Sequence, residues 1–258
     1  MSKKIKVCSF NLRVAVSADG INCFWGRTER IKKVIADESP DIIGFQEVKD
    51  EMRYWLRDTL SDYILVGCGR GVDYKGEATV VAYKKNSFEL VKLDNFWLSA
   101  TPDVPGSRYG EDQSRCPRIT TAALLKHNEA DAVFGFINTH LDHQGSTARL
   151  LGSVQLLQYI SELNTPCILT GDFNATPDSR EIQVITENEI CGLVDLTAGL
   201  GGTFHAFGKY PIEKMSKIDY IFTNMKADAN EAYAIEDRPV EGVYISDHRP
   251  VCAFVEID

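Results

Sequence analysis

The chain has 258 residues, a formal net charge of −9 at pH 7 and 7 cysteines. That length suits one large α/β or all-β domain, and no linker-like or low-complexity stretch interrupts it, so residues 1–258 are read as a single domain. The acidic balance argues against wrapping long nucleic acid by charge alone, but leaves a nuclease open, because a bound divalent cation supplies positive charge locally.

The cysteines form no C-x-x-C pair, and Cys8, Cys167 and Cys252 lie inside apolar strand-like runs, which predicts buried thiols. No apolar run is long enough to span a membrane and no secretory h-region is present. The expectation is a reduced, cytoplasmic protein with no membrane and no obligate protein partner.

In chain order, Ile5 to Asn11 alternates like a strand and ends on a polar residue. Trp25 to Asp37 has helical spacing (Ile31, Val34, Ile35), stopped by Ser39-Pro40. Asp41 to Glu47 is a second short strand ending on a carboxylate, and a helix follows over about 51–60. Strands are predicted over 63–67, 77–83 and 88–97. The Pro- and Gly-bearing link 99–116 reads as a surface loop of functional length. Residues 118–126 and 133–139 form an antiparallel pair. His140-Leu141-Asp142-His143 ends the second of them, and Thr147 to Leu163 is a helix by periodicity.

Cys167 to Leu169 then leads into Gly171-Asp172-Phe173-Asn174. Residues i and i+2 of an extended chain share a side, so Asp172 and Asn174 stand together at a strand end. A helix is predicted near 179–187, a strand over 218–222 carrying Asp219, and a last strand over 251–257 after Ser246-Asp247-His248. The pattern of strand, helix, proline and strand to an acidic end occurs from Ile5 to Glu47 and again from Val133 to Asp172. Two such halves suggest two sheets packed face to face with helices outside, and polar strand ends gathered along one edge.

Taken singly, each candidate has an ordinary explanation: an Asx turn at Asp172, a turn residue at Asn11, a helix N-terminus beside Glu47. Asp219 is harder to explain away, since a lone charge inside a strand is costly. Together they are hard oxygen and imidazole groups at strand ends, a set that suits Mg²⁺ or Mn²⁺ with a general base and a charge stabiliser. His140, His143, His205 and His248 all fall in these clusters.

Ser9-Phe10-Asn11, Gln46-Glu47-Val48, Asn138-Thr139-His140, Gly171-Asp172-Phe173-Asn174, Ile218-Asp219-Tyr220 and Ser246-Asp247-His248, in this order, resemble the endonuclease/exonuclease/phosphatase superfamily over nearly the whole chain. Trp25-Gly26-Arg27 with Arg30, Phe96-Trp97-Leu98-Ser99, residues 101–107, Cys116-Pro117-Arg118 and Gly202-Thr203-Phe204 resemble its bacterial members of unassigned substrate, distantly similar to carbon-catabolite-repressor-type deadenylases. The resemblance implies an α/β four-layer sandwich of two mixed sheets. It implies Glu47 as main metal ligand with Asn11 beside it and Asp247 near the metal. Asp172 would orient or deprotonate the attacking water, and Asn174 would hold water or a phosphoryl oxygen. His248, held by Asp219, would donate to a non-bridging oxygen, and His140 would contact the phosphate from the other side.

Glu77 matches a glutamate of pancreatic-type deoxyribonucleases and is expected to hydrogen-bond His140; a solvated strand-start residue is the alternative. Arg13 stands where apurinic-site endonucleases carry an acidic residue. A guanidinium there binds phosphate but not metal, which weakens the case for a second metal. Arg118 and Asp142 are further expected substrate contacts. The implied function is a Mg²⁺- or Mn²⁺-dependent phosphoester hydrolase acting by in-line attack of water, foremost a phosphodiesterase or nuclease of the 3′–5′ RNA exonuclease kind, with RNA or a nucleotide as substrate. The alternatives are a phosphomonoesterase on a small metabolite and a catalytically dead binding protein on the same fold.

Overall fold

The computed structural model describes residues 3–110 and 112–257. In chain order its strands and α-helices are β1 (Lys3–Asn11), α1 (Phe24–Glu38), β2 (Ile42–Val48), α2 (Asp50–Thr59), β3 (Tyr63–Val66), β4 (Ala78–Lys84), β5 (Phe88–Trp97), β6 (Ile119–His127), β7 (Val133–His140), α3 (Ser146–Leu163), β8 (Cys167–Asp172), α4 (Arg180–Thr186), β9 (Val194–Asp195), β10 (Asp219–Thr223), β11 (Tyr233–Ala234) and β12 (Val251–Ile257). The two sheets run β11-β12-β1-β2-β4-β3 and β5-β6-β7-β8-β10-β9. Each has one parallel pair at its centre, β1 with β2 and β7 with β8, and antiparallel neighbours outside it. The parallel pairs are the two strand–helix–strand repeats seen in the sequence, closed by α1 and α3, because parallel strands need a crossover.

Alternation along the strands sorts the apolar residues into three layers. Ile5, Val7, Ile42, Phe134, Phe136, Ile168 and Ile221 fill the space between the sheets. Cys8, Phe10, Ile43 and Phe45 face α1 and α2, meeting Ile31, Ile35, Met52 and Leu56. Leu169, Tyr220 and Phe222 face α3 and α4, meeting Leu156, Ile160, Ile182 and Ile185. The result is the expected four-layer α/β sandwich. Burying a side chain such as Phe136 stabilises the fold by roughly 1.5–3 kcal/mol relative to exposure.

Toward the site, the layer between the sheets turns polar. Asn138 crosses it and donates to Phe45 O at 2.8 Å and Val80 O at 3.1 Å of the opposite sheet, while Gln46 Nε2 donates to Asn138 Oδ1 at 2.7 Å. Gly44 makes room for this stitch: a Cβ there would stand 2.4 Å from Thr170 Oγ1 and 2.7 Å from Asn138 Oδ1. The short strands β9 and β11 were not anticipated. Two residues carry no readable period, and each is fixed by pairing with β10 or β12. Residues 99–110 and 112–116 form neither helix nor strand, as expected of a loop. Asp112 pins it to the start of α3 by accepting from Thr147 N at 2.8 Å and Ala148 N at 3.0 Å.

Candidate active site

The polar residues at the ends of β1, β2, β7 and β8, and at the starts of β10 and β12, form two facing rows. On one side stand His248, Asn11 and Glu47; on the other Asp219, Asp172 and His140. Asp172 lies directly opposite Asp219 in the antiparallel pair and opposite His140 in the parallel pair. All three point between the sheets, because each is an even number of residues from an inward apolar one (Ile168, Ile221, Phe136).

Glu47 breaks the alternation. Two residues after Phe45, it should point outward at the helices. A β-bulge between Phe45 and Val48 and a left-handed φ of 62° turn it toward the other row. Its oxygens accept from Val14 N at 2.8 Å and Asn11 Nδ2 at 3.1 Å. A non-glycine residue in that conformation is strained, and the two hydrogen bonds hold Glu47 in it. Asn174, φ 49°, is likewise turned by a strained bend and donates to His140 Nε2 at 3.1 Å and Leu141 O at 3.1 Å.

Charge is concentrated here. Burial raises the Asp172 carboxyl to about 7, with His248 opposing the rise and Asp219 and Glu47 supporting it. Burial also raises Asp247. Glu47 shifts the other way: burial opposes ionisation, but the Val14 amide, His248, Asn11 and Arg13 overcome it and lower its pKa. The two histidines are driven apart. Burial disfavours the His248 imidazolium, yet Asp219, 2.9 Å from Nδ1, and Asp172 hold its pKa well above the ordinary value. Burial, Arg118 and Arg70 push His140 well below it. His140 Nε2 accepts from Asn174, so its proton sits on Nδ1.

The donor set fits a hard divalent cation. Ligand atoms of Glu47, His140 and Asp172 lie within 4.8 Å of one another, as do those of Asp172, Asp219 and His248. Among the described residues, Asp219 Oδ1 is buried without a partner. Several buried carboxylates held together invite a cation rich in positive charge. Asp247 borders the same cleft, 3.7 Å from Arg13 Nε.

Some expectations need correcting. No hydrogen bond joins Glu77 to His140; Glu77 Oε1 accepts from Arg70 Nη2 at 2.7 Å, because that guanidinium reaches it first. Asp142, expected at the substrate, is not among the residues that line the cleft. It is 2 % exposed, and its oxygens are occupied by Ser114 N and Oγ, Gln144 N and Gly145 N, which shape the loop after β7. Asn11 faces the cluster with Nδ2, donating to Glu47 and Asp172 at 3.1 and 2.9 Å and so tying the two carboxylates together, while its Oδ1 accepts from Arg13 N. Arg13 lines the cleft but is gripped by Asp19 at 3.0 and 3.1 Å. Arg118 and His140 line the cleft as expected, and so do Arg70, His143 and Phe204, which were not singled out as site residues. Arg70 lay in a Gly-rich loop that gives no period to read. Arg27 was quoted only as part of a motif. It is fully buried and donates to Asn22 O, Ile245 O and Arg13 O at 2.6, 2.6 and 2.9 Å, fixing the loops that carry Arg13 and Asp247.

The profile of the Endonuclease/Exonuclease/phosphatase family matches residues 8–248, from β1 to His248. The chain belongs to this family. Members of the endonuclease/exonuclease/phosphatase family are divalent-metal-dependent phosphoester hydrolases, and the chain is an enzyme of that class. A family structure from Bacteroides vulgatus is similar with a TM-score of 0.88 and 32 % identity, covering 99 % of this chain and 100 % of that one. The mannosyl-6-phosphatase of Bacteroides thetaiotaomicron VPI-5482 is similar with a TM-score of 0.88 and 28 % identity, covering 98 % and 100 %. An uncharacterized protein of Acanthamoeba polyphaga mimivirus is 27 % identical over 252 residues, 89 % of this chain and 91 % of that protein. Among the described residues no helix is long and apolar enough to cross a membrane.

Proposed function

We propose that the chain is a Mg²⁺- or Mn²⁺-dependent phosphomonoesterase acting on a small phosphorylated metabolite. The observation that carries this reading is the size of the cleft, about 390 Å³, with the base Asp172 and the donor His248 at one end. That volume suits a small ligand, at the lower end of the usual range for such sites. The net charge of −9 offers no electrostatic attraction for a polyanion. Similarity to a mannosyl-6-phosphatase over nearly the full length supports it.

Glu47, with Asp247 and Asp172 around it, would hold the cation, which when bound neutralises charge on the phosphoryl and leaving oxygens. Asp172 takes the proton of the attacking water as the new O–P bond forms and the ester P–O bond breaks on the opposite side of phosphorus. Asn174 Nδ2 is held by His140 and Leu141 O, which leaves Oδ1 to align that water. Asp219 keeps His248 charged, so that Nε2–H donates to a non-bridging oxygen as negative charge builds. His140, neutral, contacts the phosphoryl group from β7.

A second reading is a phosphodiesterase of the 3′–5′ RNA exonuclease kind. It is favoured by Phe204, whose ring centroid lies 4.9 Å from that of His248 and which lines the cleft, offering a face for a base. Assays with Mg²⁺ or Mn²⁺ on sugar phosphates, nucleotides, single-stranded RNA and DNA separate the two. Release of inorganic phosphate from small monoesters, faster than nucleotide release from RNA, is expected. Efficient RNA shortening without monoester hydrolysis would overturn the first reading.

A further inference from the structure

The cleft is divided by charge along its length. Its metal end holds Glu47, Asp172 and Asp247, with Arg13 beside Asp247. Its other end, one strand out in each sheet, holds Arg70, Arg118 and His143. Both arginines are built in rather than floating on the surface. Arg70 is fixed by its N–H to Glu77 O at 3.0 Å, by Trp97 Nε1 donating to its carbonyl at 2.7 Å, and by its Nη2 on Glu77. Arg118 is 4 % exposed; Nη2 donates to His143 Nδ1 at 2.8 Å, Nε lies 3.4 Å from Asp142, and Nη1 is buried with no partner among the described residues. Asp142 pairs with Arg118 through Nε only, which leaves the Nη1 donors of the guanidinium unused. A guanidinium only donates, so His143 Nδ1 accepts and the half-exposed ring keeps Nε2–H as a donor. Two guanidiniums close enough to oppose each other's charge, one with an unused donor, form an arrangement that an anion completes.

We propose that Arg70, Arg118 and His143 form a subsite for a second anionic group of the substrate, a phosphate or a carboxylate, held apart from the phosphoryl group that reacts. This rests on the small-phosphoester reading and names its substrate class. Arg118 precedes β6, one strand beyond His140 on β7 and two beyond Asp172 on β8. At ~4.8 Å per strand Arg118 stands about 5 Å from the His140 strand and about 10 Å from the Asp172 strand, which leaves room for a second anionic group beside the reacting phosphoryl group.

The test uses the full chain with Mg²⁺ and three matched compounds: a hexose 6-phosphate, the corresponding 1,6-bisphosphate and the corresponding 6-phosphoaldonate. The bisphosphate or the aldonate should exceed the monophosphate in kcat/KM at least tenfold, and which of them does so identifies the anion. In Arg70→Gln and His143→Gln, both partly exposed positions, that preference should fall at least fivefold, mostly through KM, and Arg70→Lys should restore part of it. Equal kcat/KM for all three compounds, or a preference unchanged in both variants, overturns the subsite. Losses of equal factor on all three compounds overturn it too, since the arginines would then serve the reacting phosphate. Calorimetric binding of the same compounds without metal reads the subsite independently. Tighter binding of the doubly anionic compound with no hydrolysis rejects only the monoesterase reading; binding no tighter than the monophosphate rejects the subsite.

Discussion

In the proposed mechanism Asp172 and His248 do opposite work from one buried cluster, and their surroundings account for the division. Asp172 is burdened by burial and by neighbouring carboxylates, so it holds a proton readily. His248 is surrounded by carboxylates, so it stays charged. Asp172→Asn and His248→Ala should each lower kcat by about two orders of magnitude or more. Steady-state kinetics on the folded variants checks this, and near-normal turnover in either would remove that residue from the mechanism. His205, outside the chemistry, supplies a pH effect. Its Nδ1 accepts from Gly208 N at 3.1 Å, its Nε2 is buried without a partner, and burial lowers its pKa to about 4. The unfolded value is about 6.5. A base depressed on folding contributes stability that is complete above about 6.5 and is lost as pH falls toward 4. His205→Phe should therefore gain stability relative to the parent as pH is lowered from 7 to 5, measured by urea unfolding; a difference constant with pH would refute the assignment.

At the level of elements, positions with no catalytic group control the site. Gly44 lets β2 approach the facing sheet where Asn138 crosses. Gly44→Ala should cost roughly 1–3 kcal/mol, as overpacking does, and should lower turnover by displacing Gln46 and Glu47 beyond it. Denaturant titration beside kcat measures both; an unchanged midpoint would show that Thr170 and Asn138 yield freely. Arg27, on α1, ties three loop carbonyls with hydrogen bonds from a charged donor, each a stronger kind of bond. Arg27→Met should lose about 3 kcal/mol or more and most of the activity. Arg27→Lys should rescue little, because an ammonium cannot reach three carbonyls in a plane.

For the whole molecule, the acidic end of the cleft means that folding gathers like charges that a cation would relieve. Mg²⁺ binding only the native state raises stability by RT ln(1 + [L]/Kd), about 2.7 kcal/mol at a hundredfold excess over Kd. Calorimetry should show a melting temperature that rises with Mg²⁺, returns on chelation, and responds far less in Glu47→Gln. A Glu47→Gln response equal to the parent's would place the cation elsewhere.

Much of this was legible in the linear chain, for reasons of periodicity. Alternation located most of the strands, and the polar ends at Asn11, Glu47, His140 and Asp172 were expected to gather along one edge. The repeated strand–helix–strand pattern announced two sheets. What the sequence could not convey were contacts set by packing between distant segments. Alternation predicts the wrong direction for Glu47, and only the bulge, set by pairing with β4, turns it inward. The match that offered Glu77 to His140 could not see Arg70, seven residues earlier, folding back to take it. Asp142 looked like a site residue beside His140 until Ser114, 28 residues away, filled its lone pairs. Sequence determines which groups reach the edge of the sandwich, because that depends on local periods; which partner each group takes there depends on loops that only the tertiary fold brings together.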